Sequence, residues 1–266
     1  MTVPPTRAWT LERNDRRLHF ASGPAATMFA ETGAFRVRPH RHPAWKIVLA
    51  LGGGVEVGYG GNRSTAAVGV IVPPQLAHTC TVSSAYVALF LDPWELALGT
   101  DPTRLNETAT RRLLAALDHP GPSADLEAAR AELATLAGAG APLDSRVAHA
   151  VREITRPGST TTIGAVAAQV GLSQSRLRTL VRDWVGIPLP RLRLWAMLRT
   201  AMTELPAESA AAAAAFAGFA DQAHLTRTAR TLAGRTPSEI FRPGVRAASF
   251  PPLQPVDGQS GGLRGW

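Results

Sequence analysis

The chain has 266 residues, 45% of them apolar, enough for two domains of ordinary size with proper cores. No apolar run approaches the ~20 residues that span a bilayer, and no basic segment followed by an apolar run marks a secretory signal. A lone cysteine, Cys80, allows no internal disulfide, so a reducing, cytoplasmic location without membrane attachment is expected.

The formal charge of +8 is unevenly placed. Residues 1–142 carry 13 basic and 12 acidic side chains, net +1, whereas residues 143–242 carry 13 and 7, net +6. An excess confined to one segment suits a surface that neutralises phosphates. Lys46 is the only lysine; every other basic side chain is an arginine.

In chain order, residues 1–34 show weak strand signals and no candidate site. Short β-like runs follow at Phe35–Val37, Trp45–Leu51, Gly54–Tyr59, Val68–Val72, His78–Val82 and Tyr86–Leu91. Turn signals at Gly52-Gly53-Gly54, Gly60-Gly61-Asn62 and Pro73-Pro74 separate them, a spacing that predicts a small antiparallel barrel or jelly roll. Two helices are expected at Thr103–Leu117 and Ser123–Ala137, with Leu105, Leu113, Leu114 and Leu117 striping the first and Leu126, Leu133 and Leu136 the second. Those stripes would bury against the barrel or against a second copy of the chain. The flexible stretch Gly138–Pro142 marks a domain boundary.

Beyond it, Asp144 caps a helix reaching about Ile154, and Thr162 opens a short helix to Val170. Gly171 and Leu172 make a turn, and Ser173 caps a helix to Val185. A long helix runs from about Pro190 to Glu204, and the pattern of short helix, turn and second helix repeats from Glu208, its second helix spanning Asp221–Leu232. The fold class is therefore α+β: an amino-terminal β-barrel of jelly-roll type, helices, then an all-α domain with two helix-turn-helix units. The boundaries read 1–98 for sensing, 99–138 for a helical dimerisation or linker segment, 143–242 for DNA binding and 243–266 for a disordered tail.

Such a turn needs a residue that tolerates positive φ, and Gly171 and Gly218 stand there. In the first unit Leu177, Leu180 and Val181 share a core face. Ser175, Arg178, Thr179 and Arg182 share another, with Gln174 and Arg176 beside them. In the second, Leu225 and Leu232 face inward. Gln222, Ala223, Thr226, Arg227 and Arg230 line the other side, with His224 at its edge. Small, polar and basic faces of this kind suit base edges and phosphates in a major groove.

Four stretches carry a family resemblance: Val166-Ala-Ala-Gln-Val-Gly-Leu-Ser-Gln-Ser-Arg-Leu177, Gly186-Ile-Pro188, Gly218-Phe-Ala-Asp-Gln-Ala-His-Leu225 and Gly234-Arg-Thr-Pro-Ser238. Residues 160–242 thereby resemble the AraC/XylS transcription regulators. The resemblance implies a seven-helix domain placing two recognition helices in successive major grooves, roughly 34 Å apart. It also implies a homodimer on double-stranded DNA, a small-molecule or metal effector, and contact with RNA polymerase for an activator. The chain departs from the family where Val181, Leu225 and Ala229 replace aromatic residues and where Ala210–Ala215 forms an unbroken alanine run. Both changes thin the second unit's core, so the first unit is expected to discriminate sequence better.

The amino-terminal half resembles the cupin-type sensing domain through His40-Arg-His42, Lys46, Gly53, Gly69, Pro73 and His78. In metal-binding cupins a glutamate stands where this chain has Lys46, and a protonated lysine is no ligand. Residues i and i+2 of a strand share a face, so His40 with His42 and His78 with Cys80 are expected to converge if their strands adjoin. Zn, Ni or Cu would accept such a set; a pocket for an organic ligand, walled by Trp45 and Lys46, is the alternative. A metal-dependent cupin enzyme is the competing reading of the whole chain. No paired carboxylate, activated nucleophile or phosphate loop accompanies the histidines, so the chain is read as a non-enzyme.

Overall fold

The computed structural model describes residues 7–13, 16–24, 26–118 and 124–241; the tail expected to be disordered lies outside them. Three strands come first, β1 (Arg7–Arg13), β2 (Arg16–Ser22) and β3 (Ala26–Glu31). Then follow β4 (Phe35–His40), β5 (Trp45–Ala50), β6 (Val55–Tyr59), β7 (Arg63–Ala67), β8 (Gly69–Val72), β9 (His78–Val82), β10 (Tyr86–Leu91) and β11 (Thr103–Leu105). The helices are α1 (Glu107–Ala116), α2 (Leu126–Ala137), α3 (Ser145–Thr155), α4 (Ile163–Gln169), α5 (Gln174–Val185), α6 (Leu189–Glu204), α7 (Ala210–Phe216), α8 (Gln222–Ala233) and α9 (Pro237–Phe241).

Among the described residues the strands form two sheets rather than a closed barrel. One has seven strands in the order β1-β2-β3-β10-β5-β8-β11, the other four in the order β4-β9-β6-β7. Alternation along each strand sends one set of side chains between the sheets: Val37, Val48, Val57, Val70, Cys80, Val82 and Ala88 make that inner core. The other set faces outward on the large sheet, where Trp45, Ile47, Leu49, Ile71, Val87 and Leu89 would be wet if uncovered. Helices α1 and α2 cover them with Leu113, Leu117, Leu126 and Leu133. Each fully buried leucine contributes roughly 1.5–3 kcal/mol, so the apolar stripes of these helices are spent on the sheet. Strand β5, buried at all six positions, contributes to the core on both of its faces.

Thr103–Leu105 departs from its expected helical state. It pairs antiparallel with β8, and the Asn106 side chain, accepting from the Ala109 amide, starts α1 at Glu107. The second helix likewise begins later than expected, at Leu126 behind the cap Asp125, and Ser123 lies outside the described residues. The Gly138–Pro142 stretch is tied rather than loose. Ala97 N–H donates to the Gly138 carbonyl at 3.1 Å and Gly140 N–H to the Glu95 carbonyl at 2.9 Å.

The helical half has two cores. Val147, Ile154, Val166, Leu177, Val181, Ile187 and Leu192 pack the first unit around α3–α5 and the start of α6. The second unit, thinned by its alanines, does not close by itself. Leu18 and Phe20 of β2, with Trp9 and Phe90 beside them, join Trp195, Leu198, Met202, Ala213, Leu225, Ala229 and Leu232 in one cluster. The large side chains that the alanine helix lacks are supplied by the sheet. Small-residue helices permit that close approach because they leave volume for a neighbour to fill.

Candidate DNA interface and histidine cluster

Both helical pairs form as their local sequence demands. Thr162 caps α4 by accepting from Ala165 N–H, Gly171 turns the chain at φ +66°, and Ser173 caps α5 through Arg176 N–H. In the second unit Ser209 caps α7, Gly218 sits at φ +84°, and Asp221 caps α8 by accepting from His224 N–H at 2.6 Å. Each of α5 and α8 ends in a left-handed glycine, Gly186 and Gly234. Helix α6 joins the units with Leu189, Leu192, Trp195 and Leu198 buried.

On α5, Leu177, Leu180 and Val181 are buried, while Gln174, Ser175, Arg176, Arg178, Thr179 and Arg182 are exposed. On α8, Gln222, Ala223, Arg227 and Arg230 are exposed, whereas Thr226 and His224 are half-buried; the His224 ring stands edge-on to Phe219 at 5.1 Å. Gln174 also lies over α4, close enough that a Cβ at Gly164 would meet its amide at 2.4 Å.

A comparison with protein-family models matches residues 166–243 to a helix-turn-helix domain. Residues 166–243 therefore form a helix-turn-helix domain, and the structure gives it two such units, α4–α5 and α7–α8. Among solved structures the chain is similar to ToxT from Vibrio cholerae O395, with a TM-score of 0.52 and 10% identity over 89% of this chain and 96% of that one. An apo variant of ToxT from strain SCE256 gives the same score and identity over 88% and 95%. Both likenesses concern the fold, sheets and helices together. An RmlC-like cupin from Shewanella frigidimarina matches 32% of this chain and 84% of its own, at 13% identity and a TM-score of 0.25. A comparison with curated protein sequences matched none.

The helix-turn-helix domain is seated on the sheets by polar contacts as well as by its shared core. Arg41 N–H donates to the Thr231 carbonyl of α8, Arg191 to the Arg41 carbonyl, and Trp9 Nε1 to the Met202 carbonyl at 2.9 Å. Arg235, just past α8, reaches Glu31 on β3 at 2.8 Å. Glu31 also accepts from the Tyr86 hydroxyl at 3.0 Å and from Arg16. None of these partners is legible locally: Glu31 and Arg235 are 204 residues apart.

Between the sheets and the helices lies a cavity of about 90 Å³. Phe29, Phe35, Phe90 and Lys46 line it from the strands, Trp195, Met202 and Ala229 from α6 and α8. An adjoining crevice of about 290 Å³ shares the Trp195 and Arg199 walls. Trp45 is not a wall of the cavity. As Lys46 points inward, its neighbour must point to the opposite face, where Trp45 packs under the helices and donates from Nε1 to the Pro93 carbonyl.

Strands β4 and β9 adjoin, pairing His40 with His78, and the loop after β4 brings in His42. Ring centroids are 4.2 Å apart for His40 and His78 and 5.0 Å for His42 and His78. All three are buried, and burial holds them neutral, His40 down at about 2 and His78 at about 3, with the nearby Lys46 charge acting the same way. Cys80 does not join them. Same-face strand neighbours stand about 7 Å apart, and its sulfur is buried among valines, including Val37 and Val57, where desolvation pushes the thiol pKa up and away from the thiolate a metal needs.

The three imidazoles fit a metal's donor set; the fourth side does not. Lys46 Nζ stands 3.5 Å from His78 Nε2, so a cationic side chain rather than a fourth donor closes that side.

Proposed function

We propose that this DNA-binding transcription regulator reads its operator with the exposed faces of α5 and α8. We further propose that a small organic acid with an apolar body, seated in the cavity between sheets and helices, sets how α8 is presented. The observation that carries the reading is that one cavity is walled at once by sensing strands and by α6 and α8. An occupant therefore touches both halves, the condition for coupling two sites. The cavity is lined mainly by aromatic and aliphatic side chains. Of its cations, Arg235 is paired with Glu31 and Arg199 bonds the Gly23 carbonyl, whereas Lys46 touches only the neutral His78 ring and has no carboxylate partner among the described residues, so its charge can meet an anionic group.

The experiment is DNA affinity, on an operator selected from random duplexes, with and without a panel of small apolar carboxylic acids. An effective acid should change the DNA Kd by roughly 5- to 150-fold, the usual span of allosteric coupling, and raise the melting temperature. The matching amides should do neither. If no acid alters either quantity, the cavity is not the effector site.

Base reading has its own test. Among the described residues the Arg178 guanidinium hydrogen-bonds Gln174 at 3.4 Å on its own helix and can make a bidentate contact to guanine. Arg178→Ala should cost roughly 1–3 kcal/mol on the selected operator and relax preference at one base pair. Arg227→Ala and Arg230→Ala should cost less. Equal loss on operator and random DNA would assign Arg178 to phosphate instead.

As a regulator of this type the protein is proposed to act as a homodimer and, where it activates, to contact RNA polymerase. Among the described residues no carboxylate joins the three histidines and Lys46 lies beside them, so the geometry does not favour the enzyme reading.

A further inference from the structure

In a chain whose other 27 basic residues are arginines, the single lysine is buried, 3% exposed, against the histidine cluster. Each imidazole is held in the same way. His40 Nδ1 lies 2.8 Å from the Arg38 carbonyl, His42 Nδ1 2.7 Å from that of Ala44, and His78 Nδ1 3.0 Å from that of Leu76. A carbonyl only accepts, so every Nδ1 carries the proton and every Nε2 offers a lone pair. Donation of the remote ring N–H to a backbone carbonyl is how metal-bound histidines are oriented. One ring nitrogen from each of the three histidines lies within 4.8 Å of the others, and among the described residues the buried His42 Nε2 has no hydrogen-bond partner.

Such a set of lone pairs needs a cation. An ammonium carries N–H donors that suit such acceptors, and Lys46 Nζ, whose pKa burial lowers from the usual lysine value, is already at the rim, 3.5 Å from His78 Nε2 and close enough to act electrostatically on His40 and His42. A divalent ion bound to the same nitrogens would face that positive charge within a few ångströms in a low-dielectric interior.

We propose that Lys46 takes the place of the metal ion: its side chain is the built-in cation of the three-histidine cluster, and the site accepts Zn, Ni or Co only when that side chain is removed. The inference does not rest on the organic-acid reading of the cavity, since metal uptake is measured without DNA and without any acid.

The test compares untagged wild type, Lys46→Met and Lys46→Glu, each dialysed against zinc and then against metal-free buffer. Elemental analysis should find well under one zinc per chain in wild type and about one in both variants, tightened by on the order of a hundredfold or more. Cobalt-loaded variants should show the visible absorption of a four-coordinate site, and His42→Ala in the Lys46→Met background should abolish it. The proposal is overturned if wild type holds one zinc as tightly as Lys46→Met, or if folded Lys46→Met takes up none. Should both variants fail to fold, zinc titration of wild type followed through histidine ¹⁵N shifts decides. Saturation of three Nε2 signals by one equivalent overturns the proposal, and unmoved signals support it.

Discussion

Taken from pH 7 to pH 5, the protein is expected to lose at least about 3 kcal/mol of folding stability, a large share of the roughly 5–15 kcal/mol that holds a typical domain together. The loss comes from the histidine cluster. In the unfolded chain His40 and His78 take a proton below their ordinary pKa of 6.5; in the folded chain burial delays it to about 2 and about 3. Folded-state pKa values are thus depressed, so the stability these groups contribute is fully present above pH 6.5 and is lost as pH falls toward the folded values. One pKa unit is worth about 1.36 kcal/mol, so 1.5 units of acidification below 6.5 costs about 2 kcal/mol for each histidine. His42, buried deepest, shifts in the same direction and adds to the loss.

Asp92 opposes the trend. Burial raises its carboxyl to about 6 against the pull of Arg199, so the folded state takes up a proton before the unfolded one does, returning roughly 1 kcal/mol by pH 5. Urea midpoints at pH 7, 6 and 5 check the sum, and His78→Asn should flatten the dependence by one histidine's share. Equal midpoints at pH 7 and 5 would mean that the imidazoles charge inside the fold.

Glu31→Ala is expected to cost about 3–5 kcal/mol, the usual penalty for orphaning buried partners of a charge pair. The Glu31 side chain is 2% exposed and accepts from Tyr86, Arg235 and Arg16. Its removal strands the Arg235 guanidinium, 15% exposed, and the fully buried Tyr86 hydroxyl. Arg235 follows α8 directly, so the loss should also loosen the second helical unit from the sheet, visible as faster amide exchange in α8. The double variant Glu31→Ala with Arg235→Met should be less destabilised than the two single effects added, because the second change removes the stranded charge. Simple additivity in unfolding experiments would show that the two residues do not act as a pair.

Both effects arise from contacts between distant parts of the chain, and this separates what was legible in the sequence from what was not. The helical pairs were legible because each is specified within about ten residues. Ser173 and Asp221 cap, Gly171 and Gly218 turn, and leucines at helical spacing choose the buried face. The strands from Phe35 to Leu91 were equally local, through alternation and turn residues. The start of α1 was misread because a three-residue strand looks like helix until its partner β8 is known.

The residue types of the histidine cluster were visible, but its membership was not. Period-two spacing puts His78 and Cys80 on one face, yet convergence is a property of neighbouring strands and loops, and only the β4–β9 pairing and the loop carrying His42 decide it. The same limit hid the side of β5 on which Trp45 lies and the partner of Arg235 across the sheet.

The sequence by itself determined two helix-turn-helix units, a sheet-rich first half and a set of candidate histidines, because caps, turns and periodicity act over one or two turns of chain. Tertiary structure alone decided that the alanine-rich second unit completes its core with β2, that Lys46 faces the imidazoles while Trp45 faces away, and that one cavity spans both halves. Burial, charge pairing and the filling of volume depend on what comes to lie opposite, and that is written in the packing, not in any neighbourhood of the chain.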